Sequence, residues 1–209
     1  MIAIFQWFVR ITGWIVQWFA FRTKIYYEDK SVQSRKIKGH AILVSNHTSV
    51  YDYAVYLFVF YRILRYQMAE ILYKKKLLKL FLKMMGGIYV NRNTHDLSFL
   101  DKSNEILNKG GVVGVFPESR IPKPDEERPL EFKQSVILLA LESKAPIIPV
   151  ATNGSYFKKQ RARVIIGTPF YATEYYDATI SEKENVANIT RILRERIIEL
   201  KGKLDGQEK

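Results

Sequence analysis

His47 and Asp52 are the two residues whose types and spacing first indicate chemistry. They lie five positions apart in the segment SNHTSVYD, and His47 follows the apolar run His40–Ser45 almost directly. A carboxylate on one ring nitrogen of an imidazole fixes the tautomer and leaves the other nitrogen free to remove a proton. On a continuous helix the two side chains would point about 140° apart, so the pair requires His47 in a turn and Asp52 in the first turn of a helix.

The same carboxylate also has an explanation without catalysis. The segment Ser49–Asp52 matches a capping box, in which the acidic side chain satisfies backbone amides at the start of a helix. A capping carboxylate is immobilised and can still orient an imidazole, so the spacing leaves both roles open.

A second charged pair, Glu118 and Arg120, stands just beyond the apolar run Val112–Phe116. Taken alone, this pair is typical of a surface salt bridge. Between the two motifs, the segment Gly86–Arg92 (GGIYVNR) combines a glycine turn, a short apolar run and an arginine. The planar guanidinium of arginine suits bidentate binding of phosphate, so Arg92 is a candidate ligand of an anionic substrate.

The elements that must position these residues form an α/β pattern. Four runs are strand-length, rich in Val and Ile, and apolar on both faces, as buried strands of a helix-covered sheet are. These runs are His40–Ser45, Val112–Phe116, Ala145–Ala151 and Arg163–Gly167, and helical patterns occupy 49–64, 97–109, 131–143 and 182–203. Because 209 residues fit one domain, we expect a single α/β domain over 25–209, with a mostly parallel mixed sheet flanked by helices. Ligand sites in such sheets lie at the carboxyl ends of the strands.

Residues 1–24 are predicted to form an amphipathic helix that associates with a membrane. All three tryptophans of the chain fall here, at Trp7, Trp14 and Trp18. At about 100° per residue they border a narrow polar stripe. The stripe consists of Gln6, Arg10, Gly13 and Gln17. Tryptophan at such a border is typical of a helix at the level of lipid headgroups. The alternative is a helix packed on the domain's own core, while polar residues near its middle make a spanning helix costly.

The composition favours an anionic partner. The chain has 33 Lys and Arg against 21 Asp and Glu, a formal charge of +12, which attracts nucleic acid, anionic lipid or a phosphorylated substrate. The segment 74–85, read as a helix, carries Lys76, Lys79 and Lys83 on one face and apolar residues on the other. Such a helix lies on an anionic membrane or is an ordinary solvated surface helix. The chain has no cysteine, which excludes a thiol nucleophile and cysteine-ligated zinc.

Four segments, in this order, resemble the motifs of the glycerolipid acyltransferase family, typified by 1-acyl-glycerol-3-phosphate acyltransferases. The family patterns are N-H-x4-D, G-x-x-[FIV]-[IV]-x-R, F-P-E-G-[TS]-R-S and a strand like V-P-I-[IV]-P-V. Their counterparts are residues 46–52, 86–92, 116–118 and 145–150. The third motif departs from the pattern after Glu118. Arg120 either replaces the family's threonine or is the family's arginine displaced by a one-residue deletion.

The resemblance implies transfer of a fatty acyl group from a thioester of coenzyme A or acyl carrier protein to a hydroxyl of a lysophospholipid, above all 1-acyl-glycerol-3-phosphate. It implies no cofactor and no metal. His47 would remove the hydroxyl proton and Asp52 would support the imidazolium. The substrate would be held by Asn46, Arg92, Glu118 and Arg120. Backbone amides at the helix start after His47 are candidates for stabilising the oxyanion.

The resemblance also gives the two basic or aromatic helices a use at an anionic membrane surface. The contacts would be Trp7, Trp14, Trp18, Lys76, Lys79 and Lys83, and we expect a monotopic or peripheral protein on the cytoplasmic face of the cell membrane. Three alternatives remain: an acyltransferase for another lipid or glycolipid acceptor, an inactive membrane-bound scaffold of the same fold, and a nucleic-acid-binding module. Only the charge supports the last, and we expect no nucleic-acid partner because the aromatic residues do not interleave with the basic ones.

Overall fold

The protein is built on a seven-stranded mixed sheet with helices on both faces. The computed structural model describes residues 1–91, 97–157 and 161–208. The strands are β1 (Lys24–Tyr27), β2 (Ala41–Ser45), β3 (Leu64–Ala69), β4 (Ile88–Val90), β5 (Val112–Val115), β6 (Ile147–Thr152) and β7 (Arg163–Ile166). Their order is β1-β7-β6-β2-β5-β3-β4. Every neighbouring pair is parallel except β6 and β7. The predicted α/β class and mostly parallel sheet are confirmed.

The helices cover a sheet whose central strands are buried on both sides. They are α1 (Ile2–Val16), α2 (Asp52–Val59), α3 (Lys76–Met84), α4 (Ser98–Asn108), α5 (Ser135–Ser143) and α6 (Glu182–Asp205). On one face, Ile42 and Val44 of β2 pack in a core with α4, α5 and α6. On the other face, Leu43 packs in a second core with α2. Because successive strand residues point to opposite faces, the unbroken apolar run of β2 supplies both cores.

The structure differs from the sequence prediction at several elements. Strands β1, β3 and β4 are missed, because KIYY and LRYQMA carry charged or polar residues and IYV is only three residues long. The helix predicted over 49–64 is shorter, since α2 begins at Asp52 and ends at Val59, and β3 occupies the end of the predicted range. The capping box of α6 is present as predicted, with Ser181 and Glu184 each accepting a hydrogen bond from the other's backbone amide.

The polar stripe of the N-terminal helix faces the domain. The Gln6 side chain is fully buried: its amide nitrogen donates to the carbonyls of Leu64 and Met85 at 2.7 Å, and its amide oxygen accepts from Leu64 N. Arg10 donates to the carbonyl of Arg62. At Gly13, α1 approaches α2 so closely that a Cβ would lie 2.9 Å from the ring of Phe58. The stripe therefore anchors the helix to β3 and α2.

Helix α1 continues into a π-helical turn, Gln17–Phe21, which is counted with α1 from here on, and the remaining surface of this helix is largely apolar and exposed. Trp7, Trp14 and Trp18 are 50%, 59% and 61% exposed, and they lie among other exposed apolar side chains. These are Ile4, Phe8, Ile11, Ile15, Val16 and Phe19. Among residues 1–91, 97–157 and 161–208, no helix is long and apolar enough to cross a bilayer.

Helix α3 extends this exposed apolar surface. Its Leu82 and the following Met85 are buried, while a different set of apolar side chains is exposed. The exposed set is Leu77, Leu80, Phe81 and Met84. Phe81 packs edge-on against Phe5 of α1, with 5.7 Å between ring centroids, so the exposed surfaces of the two helices adjoin. We call this surface, formed by the exposed apolar residues of α1 and α3, the apolar face.

Glu28, directly after β1, ties the edge of the sheet to α6. It accepts hydrogen bonds from the backbone and hydroxyl of Thr168, both at 3.0 Å, and from the side chains of Arg196 and Lys203. Burial pushes the pKa of Glu28 upward, but the bonds from Lys203 and Thr168 and the charge of Arg196 outweigh it and lower the pKa to about 2. The ionised carboxylate is thus stabilised by folding.

Replacing Glu28 by Gln tests this cluster through the pH dependence of stability. Because the pKa is 4.5 without these contacts and about 2 in the fold, the contribution is complete above pH 4.5 and is lost as the pH falls through 2. We expect Glu28→Gln to lower the free energy of unfolding by about 1–2 kcal/mol at neutral pH, with the difference vanishing near pH 2. Glu199→Gln is the control, since Glu199 is exposed and contacts the same Arg196 at 3.4 Å. A pH-independent difference in urea unfolding would contradict the assignment.

Candidate active site

The candidate site lies where three central strands end side by side. Val44 of β2 pairs with Val115 of β5, and Ser45 pairs with Val150 of β6. Because all three strands are parallel, the residues after their carboxyl ends meet at one edge of the sheet. His47 follows β2, Glu118 follows β5 and Tyr156 follows β6. This is the edge at which open α/β sheets bind ligands.

His47 and Asp52 form the pair expected of a general base. The distance between His47 Nδ1 and Asp52 Oδ2 is 2.8 Å. His47 lies in the turn after β2, and Asp52 is the first residue of α2. A carboxylate accepts hydrogen bonds only, so Nδ1 carries the proton and Nε2 is the basic nitrogen.

Asp52 is fully buried and accepts five hydrogen bonds. Oδ2 accepts from His47 Nδ1 and from the backbone amides of Thr48 and Ser49 at 2.7 and 3.0 Å. Oδ1 accepts from the Thr48 hydroxyl at 2.8 Å and from the Tyr156 hydroxyl at 2.6 Å. The reciprocal bond of a capping box is absent, since Ser49 Oγ accepts from Tyr51 N instead. The backbone amides of Thr48 and Ser49, in the turn after His47, are therefore committed to Asp52.

The imidazole is held in its plane by an aromatic ring. The ring of Phe116 stacks on that of His47, with 4.2 Å between centroids and 15° between planes. On the opposite side of the turn, Gly154 has a φ of +65°, and a Cβ there would lie 2.5 Å from Thr48 Oγ1. Glycine is thus required where the loop after β6 approaches the residue that follows His47.

Asn46 joins the ends of two strands. Its side-chain oxygen accepts from the backbone amide of Thr152 at 2.9 Å, and its side-chain nitrogen donates to the Thr152 carbonyl at 3.0 Å. The side chain is buried, and the residue lines a small cavity together with His47. The amide extends the hydrogen bonding between β2 and β6 past the point where the strands end.

Glu118 bridges His47 and the segment that leads to α5. Its two carboxylate oxygens accept from the backbone amides of His47 at 2.7 Å and Leu130 at 2.8 Å. Burial raises the pKa of Glu118, and the two amide bonds and His47 oppose that rise. The sequence predicted a contact with substrate, whereas the structure places both oxygens on backbone amides.

Ser119 and Arg120 follow Glu118, where the third motif departs from its family pattern. Ser119 has a φ of +64°, a left-handed conformation that favours glycine. The Arg120 guanidinium binds both oxygens of Glu126, at 2.6 and 2.7 Å. The Arg120 side chain is exposed.

Two cavities flank Glu118. The larger, of about 810 Å³, has apolar walls that include Phe99 and Phe116 and also contains Arg120 and Lys133. The smaller, of about 180 Å³, is lined by His47 itself and by other groups, including Asn153 and Arg128. Arg92 lies outside the described residues. Within the described ranges, no three His, Asp or Glu side chains are close enough together to hold a metal ion.

The chain is similar to proteins of a known family. A protein-family model described as Acyltransferase matches residues 22–153, more than half of the chain. The chain belongs to the acyltransferase family. This acyltransferase is 31% identical, over 147 residues, to the 1-acyl-sn-glycerol-3-phosphate acyltransferase of Bacillus subtilis, covering 68% of the chain and 71% of that protein.

Two further relatives agree. The 1-acyl-sn-glycerol-3-phosphate acyltransferase of Borreliella burgdorferi is 23% identical over 166 residues, which are 77% of this chain and 66% of that protein. The crystal structure of the 1-acyl-sn-glycerophosphate acyltransferase PlsC from Thermotoga maritima superposes with a TM-score of 0.65 at 19% identity. That superposition covers 96% of this chain and 79% of the other, and it shows that this acyltransferase shares the fold.

Sequence reasoning missed Thr48 and Tyr156, which together hold one oxygen of Asp52. Thr48 lies inside the recognised motif at a position the pattern leaves open. Tyr156 follows the exit of β6, in the segment Asn153–Tyr156. The rule that directed attention to the ends of β2 and β5 applies equally to β6, and it would have found this tyrosine.

Replacing Glu118 by Gln separates a bridge from a substrate ligand. The carboxylate of Glu118 has one acceptor oxygen for each of the two backbone N–H groups, whereas a Gln side chain has a single acceptor oxygen. One of the two N–H groups therefore loses its partner. We expect the free energy of unfolding to fall by about 1–3 kcal/mol and kcat to fall with little change in KM for either substrate. Glu127→Gln, at an exposed carboxylate of the same segment, should change neither. A large rise in the acceptor KM with unchanged kcat would show that Glu118 binds substrate.

Proposed function

We propose that this acyltransferase transfers a fatty acyl chain from an acyl thioester to the free hydroxyl of 1-acyl-sn-glycerol-3-phosphate, giving phosphatidic acid. The observation that carries the proposal is the 2.8 Å contact between His47 Nδ1 and Asp52 Oδ2, in a chain similar to proteins named for this acceptor. The thioester donor that we propose is on coenzyme A or acyl carrier protein, as the resemblance of the sequence motifs to the glycerolipid acyltransferases implies.

In the proposed reaction the acceptor hydroxyl attacks the thioester directly. His47 Nε2 takes the hydroxyl proton as the oxygen bonds to the thioester carbonyl carbon. The tetrahedral oxyanion then collapses, the carbon–sulfur bond breaks, and the leaving thiolate receives the proton from His47. The ionised Asp52 stabilises the imidazolium that exists between these two transfers. Because the chain has no cysteine, no thiol of the protein takes part.

The phosphate of the acceptor needs a cationic partner at the site. Arg120 and Lys133 on the wall of the larger cavity are candidates among the described residues, together with Arg92 from the sequence motif. Arg120 holds Glu126 in the structure, so a phosphate would have to replace that carboxylate. Phosphate is well suited to do so, because it accepts the same pair of parallel N–H bonds.

We also propose that the apolar face lies on a membrane. The face presents three tryptophans and several aliphatic side chains to the outside, more apolar surface than an ordinary monomer exposes in one patch. Phe21, at the end of the N-terminal segment, contacts Tyr51 and Phe157, with 6.1 and 5.3 Å between ring centroids. Tyr51 and Phe157 are themselves exposed, so apolar surface continues to the loop that follows His47. This continuity would bring a lipid hydroxyl from the bilayer to the base.

The lysines of α3 would add attraction to anionic lipid. Lys76, Lys79 and Lys83 are all exposed and lie beside the exposed apolar residues of the same helix. Each basic residue near an anionic surface contributes about 1 kcal/mol to the free energy of binding, and this attraction falls off within a Debye length. The cytoplasmic face of the cell membrane, whose lipids are anionic, is the location that we propose for the protein.

Replacing His47 by Ala tests the proposed reaction. With acyl-CoA and 1-acyl-glycerol-3-phosphate in detergent micelles, we expect thiol release and phosphatidic acid formation by the wild type. In His47→Ala both rates should fall by about a hundred- to ten-thousand-fold, since the general base is removed. His40→Ala removes a histidine before β2 and should retain activity. Equal rates for wild type and His47→Ala would reject the mechanism, and a wild type active only on another lipid acceptor would reject the substrate.

Binding to vesicles tests the membrane proposal. Exchanging Ile11, Trp14 and Leu77 for Ser should weaken binding both to neutral phosphatidylcholine vesicles and to vesicles with added phosphatidylglycerol. Exchanging Lys76, Lys79 and Lys83 for Gln should remove about tenfold or more of the binding that phosphatidylglycerol adds, and leave neutral vesicles unaffected. The control is the same exchange at Lys30, Lys36 and Lys38, three exposed lysines before β2. Unchanged co-sedimentation of the Ser variant would refute the proposal.

A further inference from the structure

Tyr156 reaches the carboxylate of the candidate base pair from a distant part of the chain. Its hydroxyl donates to Asp52 Oδ1 at 2.6 Å, the shortest of the five contacts of that carboxylate. The two residues are 104 positions apart. The match to the acyltransferase family model ends at residue 153, so Tyr156 lies beyond it.

Both the ring and the hydroxyl of Tyr156 are held by contacts with neighbouring side chains. Its side chain is buried, and its ring packs edge-on against Phe21 with 5.5 Å between centroids. Its hydroxyl is also 3.2 Å from the Thr152 hydroxyl, and the backbone of Thr152 is held by Asn46. Because Asn46 immediately precedes His47, the chain of contacts from Tyr156 returns to the residue that carries the imidazole.

The phenol is suited to donate and not to titrate. Burial, followed by the nearby Asp52 carboxylate, raises the pKa of Tyr156 well above its usual range. A phenol that keeps its proton gives Asp52 a permanent donor. The other ionisable groups near the pair are Glu118, after β5, the phenols Tyr56 of α2 and Tyr66 of β3, and Arg128 and Lys201, which line the smaller cavity together with His47. Glu118 binds backbone amides and Tyr56 contacts Ser45, so among the described residues Tyr156 is the phenol bonded to Asp52.

We propose that Tyr156 is a positioning residue of the acyl transfer, which sets both the orientation and the proton affinity of the Asp52 carboxylate and through it the basicity of His47. This inference rests on the proposed function, since it assigns Tyr156 a part in the same reaction.

The physical reason lies in how the two oxygens of Asp52 share their charge. Oδ2 faces the imidazole and Oδ1 faces Tyr156. A donor on Oδ1 withdraws charge from Oδ2 and keeps the carboxylate plane aimed at Nδ1. Without the phenol hydroxyl, Oδ1 keeps only the Thr48 hydroxyl, the carboxylate becomes more basic and less constrained, and the imidazolium beside it is favoured.

The experiment compares the wild type with Tyr156→Phe in the thioester assay over pH 5 to 9. A more basic His47 must lose its proton before it can act, so the acidic limb of the kcat profile should move to higher pH by about half a unit. At the pH optimum kcat should fall by about tenfold, while KM for both substrates stays unchanged, because the bond to a charged group is lost away from the substrates.

Tyr53→Phe is the matched control. Tyr53 follows Asp52 in α2, and its largely buried hydroxyl has no hydrogen-bond partner among the described residues. Its removal should leave both the limb and kcat in place. An acidic limb that does not move in Tyr156→Phe would overturn the proposal, whether or not kcat falls, because a merely structural loss lowers the rate equally at all pH values. Thermal unfolding of both variants establishes that the assays report folded protein.

The same experiment separates failure of the role of Tyr156 from failure of the proposed reaction. Wild-type turnover in the same assay tests the reaction by itself. An active wild type with an unaltered Tyr156→Phe profile removes the role of Tyr156 alone, whereas an inactive wild type removes the reaction on which that role depends.

Discussion

The buried charge of Asp52 is the constraint on which the site depends. An ionised carboxylate removed from water is costly unless it is fully hydrogen-bonded, and within the described part of the chain His47 is the only side chain in contact with Asp52 that can carry a positive charge. The protein meets this requirement with donors from two loops: His47, Thr48 and Ser49 after β2, and Tyr156 after β6. The loops come together because β2 and β6 are parallel neighbours. The hydrogen bonding of the Asp52 carboxylate therefore depends on the parallel pairing of β2 and β6.

Much of this was accessible from the amino-acid sequence, because it depended on local chemistry. The unbroken apolar runs of β2, β5, β6 and β7 predict buried strands, and the imidazole and carboxylate at their exit predict a base pair. What escaped prediction was set by packing. The strand β3 alternates apolar with charged or polar residues because Leu64, Tyr66 and Met68 face the second core, whereas Arg65 and Gln67 on the other face are only half-buried. No pattern in one segment reveals that a hydroxyl 104 residues away will complete its hydrogen bonding.

The N-terminal helix shows the same limit in another form. Its polar stripe was visible in the sequence, but a helical wheel does not say which face meets the protein. The Gln6 side chain forms hydrogen bonds with the buried backbone carbonyl and amide of Leu64 in β3. Buried backbone groups need such partners, so Gln6 stabilises the protein more when it faces the domain than when it faces water. The helix thus turns its polar side inward and its tryptophans outward. An amphipathic pattern in a sequence therefore needs the contacts of its polar face before the direction of the helix can be assigned.

Glu118 adds a consequence for motion. One carboxylate joins the main chain at His47 to the main chain at Leu130, on the wall of the larger cavity. The stretch between Ser119 and Leu130 is therefore closed at both ends by Glu118, through the peptide chain at Ser119 and through the hydrogen bond at Leu130. A single carboxylate thus couples the cavity wall to the turn that carries the imidazole, and movement of Leu130 away from it would leave Glu118 with one backbone bond, to His47, in place of two.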